Sequence, residues 1–346
     1  MSSKEKNSSL KVQPRKQSAS DFGGSVRKLA LTTGTMALAG GMGASLATVG
    51  LAQYLVSQLT KPVAYNIFDN YKFTPYEFQA DFEEVQFPTV GGRLLSGWFL
   101  PRPSERRVIV ASSGHRGRKE DMLGVGVDLW RNNFNVLMFD YRGYGGIVSK
   151  GDLQTLGHRE LQDYLAAVSY VRRRIDGAIV GAVGASMGAA VAIVATSRDP
   201  EIRAVWADSS FATQHEVISD NFSSLTHLPA WPIIDVSERL FQWRTGHRYR
   251  HFEPVAEIGQ IAPRPVYLLH GGKDSVVPVK HAYKLYEAAR GPKELWIDPD
   301  AEHCGIYFAN RKEYWQRVVE FFNNHLKPEA VLASSEQSHR EVVAAM

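Results

Sequence analysis

Beyond about residue 83 the chain alternates between short apolar runs and longer stretches with helical spacing. The runs Val85–Phe87, Leu94–Leu100, Val108–Ser112, Val136–Asp140, Ile179–Val183, Ala204–Trp206, Val266–Leu269 and Glu294–Ile297 read as strands. Several are Val, Ile and Leu without polar alternation, the pattern of strands covered on both faces. Helices are expected over Glu120–Arg131, Gly157–Arg174, Met187–Ser197, Val279–Ala289 and Lys312–Asn324. In the second of these, Leu161, Leu165, Val168 and Val171 recur on one helical face. This order predicts an α/β fold: a mostly parallel sheet with helices on both faces.

The alternation fails over residues 211–261. Phe222, Leu228, Trp231, Ile234, Leu240, Phe241 and Trp243 make that segment too apolar for a loose loop, and Pro229, Pro232 and Pro254 break it. A helical cap over the sheet is expected, with its aromatics as candidates for an acyl pocket or for packing. The stretch 327–346 is polar and reads as a frayed tail.

The N-terminus follows a third pattern. Residues 1–28 are rich in Ser, Lys and Gln and read as a disordered tail. No charged residue stands between Lys28 and Lys61. A membrane-spanning helix needs roughly 20 mostly apolar residues, so 29–60 is long enough for a single anchor, with 61–82 as linker. The small residues Gly40, Gly41, Gly43, Ala44 and Ala47 suit close helix packing. Three alternatives stay open: a signal peptide cut near Ala37-Leu38-Ala39, a helix lying on the membrane surface, and a buried helix of the domain.

Charge refines this picture. The formal net charge is +4 and the pI about 9.0, values that by themselves would suit a nucleic-acid binder. Lys4, Lys6, Lys11, Arg15, Lys16, Arg27 and Lys28 face only Glu5 and Asp21 in the tail, which leaves the rest close to neutral. Nucleic acid is therefore not an expected partner. A basic tail stays on the cytoplasmic side, which puts the large domain across the membrane. Cys304 is the sole cysteine, so a disulfide, a Cys₄ zinc site and a CxxC redox pair are excluded.

The strongest chemical signal is Gly184-Ala185-Ser186-Met187-Gly188, a G-x-S-x-G run after an apolar strand and before a helix. That context forces the serine onto a strained strand-to-helix turn and exposes its hydroxyl. A serine hydroxyl is a poor nucleophile until a base takes its proton, and the base needs an orienting acid. Asp274 follows a strand in His270-Gly271-Gly272-Lys273-Asp274, and His303 lies on a loop after the last strand. Both come after the serine in the order this architecture requires. His270 and His281 are rival bases, and Asp208 and Asp298 rival acids.

With these motifs in order, residues from about Glu83 to Leu326 resemble the α/β-hydrolase superfamily. The likeness is greatest to its membrane-anchored, serine-peptidase-like branch of abhydrolase-domain proteins. Further landmarks are Gly97-Trp98-Phe99-Leu100-Pro101, Phe139-Asp140-Tyr141-Arg142-Gly143-Tyr144-Gly145 and Asp163. Two positions depart from the family. Ser113 stands where a histidine is common before the oxyanion loop, and Gly91-Gly92 where Asp-Gly is frequent. The backbone N–H groups of His115 and Met187 are the expected oxyanion donors, each worth about 10²–10³ in rate. The side chains of His115 and Arg116 either contact an acidic substrate group or are simply solvated. Tyr141 and Arg142 read as structural.

The resemblance implies a serine hydrolase that cleaves an ester, thioester or amide through an acyl-enzyme. The apolar cap and the anchor favour a small-molecule or lipid-like acyl ester. A peptidase of the same fold and a non-catalytic binding protein are the alternatives. No phosphate loop or metal-ligand spacing is visible, so no cofactor or metal is expected. The oligomeric state is not legible.

Overall fold

The computed structural model describes residues 40–64, 73–145 and 151–327. The expected tail 1–28, residues 29–39 of the expected anchor, 65–72 of the expected linker and 328–346 of the expected tail 327–346 lie outside the described residues.

Eight strands form one sheet: β1 (Glu83–Pro88), β2 (Leu94–Leu100), β3 (Arg107–Ser112), β4 (Asn135–Phe139), β5 (Ile179–Ala185), β6 (Ile202–Asp208), β7 (Val266–Gly271) and β8 (Lys293–Asp298). Their spatial order is β1-β2-β4-β3-β5-β6-β7-β8. The β1–β2 and β2–β4 pairs are antiparallel, and every pair from β4 to β8 is parallel. This is the α/β-hydrolase fold. All eight expected strands are present, extended by one to three residues in most cases.

Among the described residues, eight helices of eight residues or more surround the sheet: α1 (Gly40–Thr60), α2 (Leu123–Arg131), α3 (His158–Arg174), α4 (Met187–Arg198), α5 (Gln214–Thr226), α6 (Ile233–Thr245), α7 (Lys280–Ala288) and α8 (Arg311–His325). Trp130, Met138, Trp206 and Phe322 share one apolar layer, which places α2 and α8 on one face. Val110, Val168, Val191 and Leu285 share the other, with α3, α4 and α7. Sheet centres are buried on both sides, which is why β3 to β6 read as apolar runs.

Local signals explain the helix ends. The Glu160 carboxylate accepts from the N–H groups of Thr155 and Gly157 at 2.8 and 2.9 Å, closing the first turn of α3. Arg142 spans Asp163 of α3 and Thr89, with its N–H 3.0 Å from Asp163 Oδ2 and its Nη2 3.1 Å from Thr89 Oγ1. That buried pair ties the β4 loop to α3 and accounts for Arg142 without a catalytic role. In the cap, α5 and α6 replace the strand-helix alternation, as expected.

The N-terminal helix departs from its expected role. Among the described residues no helix is long and apolar enough to cross a membrane. From Leu51 onward α1 buries Leu51, Ala52, Leu55, Val56 and Thr60 in the domain, and it packs along α6. Each fully buried Leu or Val contributes roughly 1.5–3 kcal/mol, so this half of α1 is held as a domain helix rather than a free anchor. Leu46 and Val49, within the turn and a half before it, remain exposed. The expected linker also carries structure: Thr74 and Glu77 form a capping box on the short turn Pro75–Phe78.

Candidate active site

Ser186 sits between the last residue of β5 and the first of α4, with φ 56° and ψ −121°. A non-glycine residue in that region costs of order 1–3 kcal/mol and persists only where its surroundings over-determine it. Here they do. The Ser186 N–H donates to the Asp208 carbonyl at 2.7 Å. Gly188 lies against the carbonyls of Ser112 and Ser113, and Gly184 against the backbone of Gly188, so a Cβ at either would collide with main chain. Ser112 pairs with Gly184 in the sheet, which brings the loop after β3 beside the serine. A Cβ on Gly114 would lie 2.9 Å from that of Ser186.

Asp274 and His303 follow β7 and β8, so all three groups meet at the carboxyl edge of the sheet, where α/β sheets hold ligands. His303 Nδ1–H donates to Asp274 Oδ2 at 2.6 Å, which leaves Nε2 to accept from the Ser186 hydroxyl at 2.9 Å. Asp274 Oδ1 accepts from the N–H groups of Val276 and Val277 at 2.9 and 2.7 Å. Burial pushes the Asp274 carboxyl up, but hydrogen bonds from His270 and His303, and their charges, outweigh it and hold the group ionised, below its usual range. Burial likewise disfavours the His303 imidazolium, yet interactions with Cys304 and Asp274 raise its pKa well above the ordinary value. Burial raises the Cys304 thiol as well, so it stays protonated and Asp274 is the charge that holds His303.

The rival groups are placed elsewhere. His270 Nε2 lies 2.7 Å from the Val277 carbonyl and 3.3 Å from Asp274 Oδ2, behind the acid rather than beside the serine. His281 is buried in α7, where its Nδ1 accepts from the Ala212 N–H at 3.1 Å. Asp298 closes its own turn, accepting from the N–H groups of Asp300 and Ala301 and from Asn310. Asp208 is buried at the end of β6 and accepts from Ser209 Oγ at 2.9 Å and Tyr314 OH at 3.2 Å. Its pKa is raised to about 6, chiefly by burial. Ser209 Oγ in turn accepts from the Cys304 N–H at 3.1 Å, so Asp208 braces the His303 loop from below.

Met187 opens α4, so its N–H is one of the four that a helix leaves without an internal partner. His115 sits in the turn after β3, closed by the Gly117 N–H donating to the Gly114 carbonyl at 3.0 Å. The serine opens into a cavity of about 1010 Å³ with mostly apolar walls. Phe222 of α5 is one of them, as expected for a cap aromatic. Trp231 and Trp243 are not: they stand 75% and 83% exposed to solvent. Three contributions were not anticipated from sequence. These are Leu55, Gln58 and Leu59 of α1, Phe73 and Phe78 of the expected linker, and Tyr307 after β8. The spacing of Leu51, Leu55 and Leu59 at every fourth position was the available signal for α1.

The family model described as the prolyl oligopeptidase family matches residues 126–329, more than half of the chain. The chain belongs to that family. Among its relatives, the protein YfhR of Escherichia coli (strain K12) is 32% identical over 297 residues, covering 82% of this chain and 94% of YfhR. YqkD of Bacillus subtilis (strain 168) is 32% identical over 194 residues, and the chain spans 63% of its length. The Pyrococcus furiosus esterase Pf2001 superposes with a TM-score of 0.64 at 23% identity, over 78% of this chain and 99% of the esterase. An acylaminoacyl peptidase of Pyrococcus horikoshii gives 0.55 at 17% identity, over 75% of this chain and 43% of that one. This family member is a serine hydrolase of the esterase or peptidase type.

Proposed function

We propose that the protein hydrolyses carboxylic esters of lipid-like acyl groups through an acyl-enzyme on Ser186. The observation that carries this reading is the Ser186–His303–Asp274 hydrogen-bond chain at the floor of a large apolar cavity. Ser186 Oγ attacks the ester carbonyl as His303 Nε2 takes its proton. Asp274 holds His303 in the tautomer that leaves Nε2 free and stabilises the imidazolium that forms. The N–H groups of Met187 and His115 receive the developing oxyanion. His303 then protonates the leaving alkoxide, and a water that it deprotonates releases the acid.

The peptidase reading is the alternative, supported by the family and by the acylaminoacyl peptidase neighbour. The apolar walls favour an acyl chain over a charged peptide end. Turnover of p-nitrophenyl esters from acetate to laurate, set beside aminoacyl p-nitroanilides, separates the two. A kcat/KM that rises with ester chain length and exceeds that for every anilide by about tenfold or more is expected. Preference for an anilide would overturn the ester assignment and leave the serine chemistry standing.

Membrane attachment is proposed through the uncharged residues ahead of Leu51. The stretch from Leu29 to Gly50 carries no charge and is about 20 residues long, enough for one span, and the exposed Leu46 and Val49 are apolar. The basic tail then lies on the cytoplasmic side and the catalytic domain on the opposite side. The full chain is expected to stay with membranes through alkaline carbonate extraction. Complete release into the supernatant would remove the anchor.

A further inference from the structure

The last turn of α1 reaches the loop expected to hold the oxyanion. A helix leaves its final four carbonyls without internal partners, and two of those in α1 are taken by segments next to the active site. His115 Nε2 lies 3.2 Å from the Leu59 carbonyl, and the Gln154 N–H donates to the Thr60 carbonyl at 3.2 Å. A carbonyl only accepts, so His115 is the donor and its Nε2 carries the proton. On the same turn Leu55, Gln58 and Leu59 form part of the cavity wall.

His115 lies in the turn that the Gly117 N–H closes on the Gly114 carbonyl. Its neighbour Arg116 is held at φ 61°, a conformation costly for a side-chain-bearing residue. Gly114 packs against Ser186, so a shift of this turn moves the His115 N–H relative to the nucleophile. Misplacing a reacting group by about 1 Å can cost on the order of 10²-fold in rate.

Resting on the serine-hydrolase mechanism proposed above, we propose that His115 is a positioning residue: its side chain, clamped to the Leu59 carbonyl of α1, sets the backbone N–H of the same residue for the oxyanion. The N-terminal helix is thereby part of the catalytic machinery, and its seating on the domain is read directly by the oxyanion loop. Burial holds the His115 pKa down to about 4, so the imidazole stays neutral and the clamp keeps its donor across the working range.

The test uses the full chain with His115→Phe, which keeps the ring and loses the donor, and His115→Gln, whose amide nitrogen can replace Nε2. With p-nitrophenyl butyrate, His115→Phe is expected to lower kcat by about tenfold or more with KM within about twofold, because the oxyanion forms only in the transition state. The loss should be equal at pH 6 and pH 9, and His115→Gln should recover kcat to within about threefold of wild type. Thermal denaturation midpoints are compared across all three proteins. An unchanged kcat in His115→Phe, an effect confined to KM, or equal losses in both variants would overturn the proposal while Ser186 labelling by a fluorophosphonate upholds the mechanism. A folded wild type that neither turns over ester nor reacts with the fluorophosphonate would overturn both.

Discussion

Ser186→Ala is expected to abolish fluorophosphonate labelling and to lower kcat for p-nitrophenyl esters by about 10⁶-fold, to the level left by the oxyanion donors and binding alone. The geometry makes the prediction specific to this serine. Its hydroxyl alone lies 2.9 Å from His303 Nε2, on a turn whose backbone Gly184 and Gly188 hold in a costly conformation. Alanine tolerates the same backbone no worse than serine, so the fold should survive and the denaturation midpoint should stay within a few degrees. Ser112, Ser113 and Ser209 are nearby hydroxyls, and none is hydrogen-bonded to a histidine among the described contacts; Ser209 donates to Asp208 instead. Residual labelling above a few per cent of wild type would mean that another residue is the nucleophile.

The second large effect is expected at Asp274. Asp274→Asn should lower kcat about 10⁴-fold, since an amide can donate to Nδ1 and so favour the tautomer that presents N–H, not a lone pair, to Ser186. The pH profile carries a sign of its own. Hydrolysis needs neutral His303, so activity rises with pH through the His303 pKa. Asp274 raises that pKa, which places the wild-type limb above the ordinary histidine value of about 6.5. Removing the carboxylate takes away its charge and hydrogen bond and leaves burial less opposed, so the limb should move to lower pH. Asp208→Asn provides the contrast. Asp208 touches Ser209 and Tyr314 but not His303, so its loss should cost no more than about tenfold and leave the limb nearly in place. If the two substitutions exchange these effects, Asp208 is the working acid.

The strand set was legible because sheet-centre strands carry their burial in their composition. Val108–Ser112 and Val136–Phe139 have no polar face to show, and they lie at the middle of the sheet. The elbow was legible for a different reason: its backbone geometry excludes side chains at Gly184 and Gly188, so the motif is a steric requirement written into residue type. Asp274 and His303 could be ranked above their rivals only by chain order and by their places after strands. What separates them from Asp208 and His270 is which groups lie within hydrogen-bond reach of one another, and residue type does not encode it.

The N-terminal helix marks the limit. An uncharged run reads the same whether lipid or protein covers it, because transfer from water favours both to a similar degree. The spacing of Leu51, Leu55 and Leu59 marks one apolar helix face but not whether a bilayer or the cap helix α6 covers it, and the packed structure placed that face on the domain. The same holds for Trp231 and Trp243, apolar enough for a pocket yet left at the surface, and for Phe73 and Phe78, assigned to a linker yet lining the cavity. The sequence alone determined the fold class, the candidate nucleophile and the order of the groups proposed to serve it, since those follow from period, steric exclusion and chain direction. The partner of each buried face, which of the candidate acids and bases lie within hydrogen-bond reach of Ser186 and of each other, and the reach of α1 to His115 depend on distances between residues far apart in the chain, and only the tertiary structure decided them.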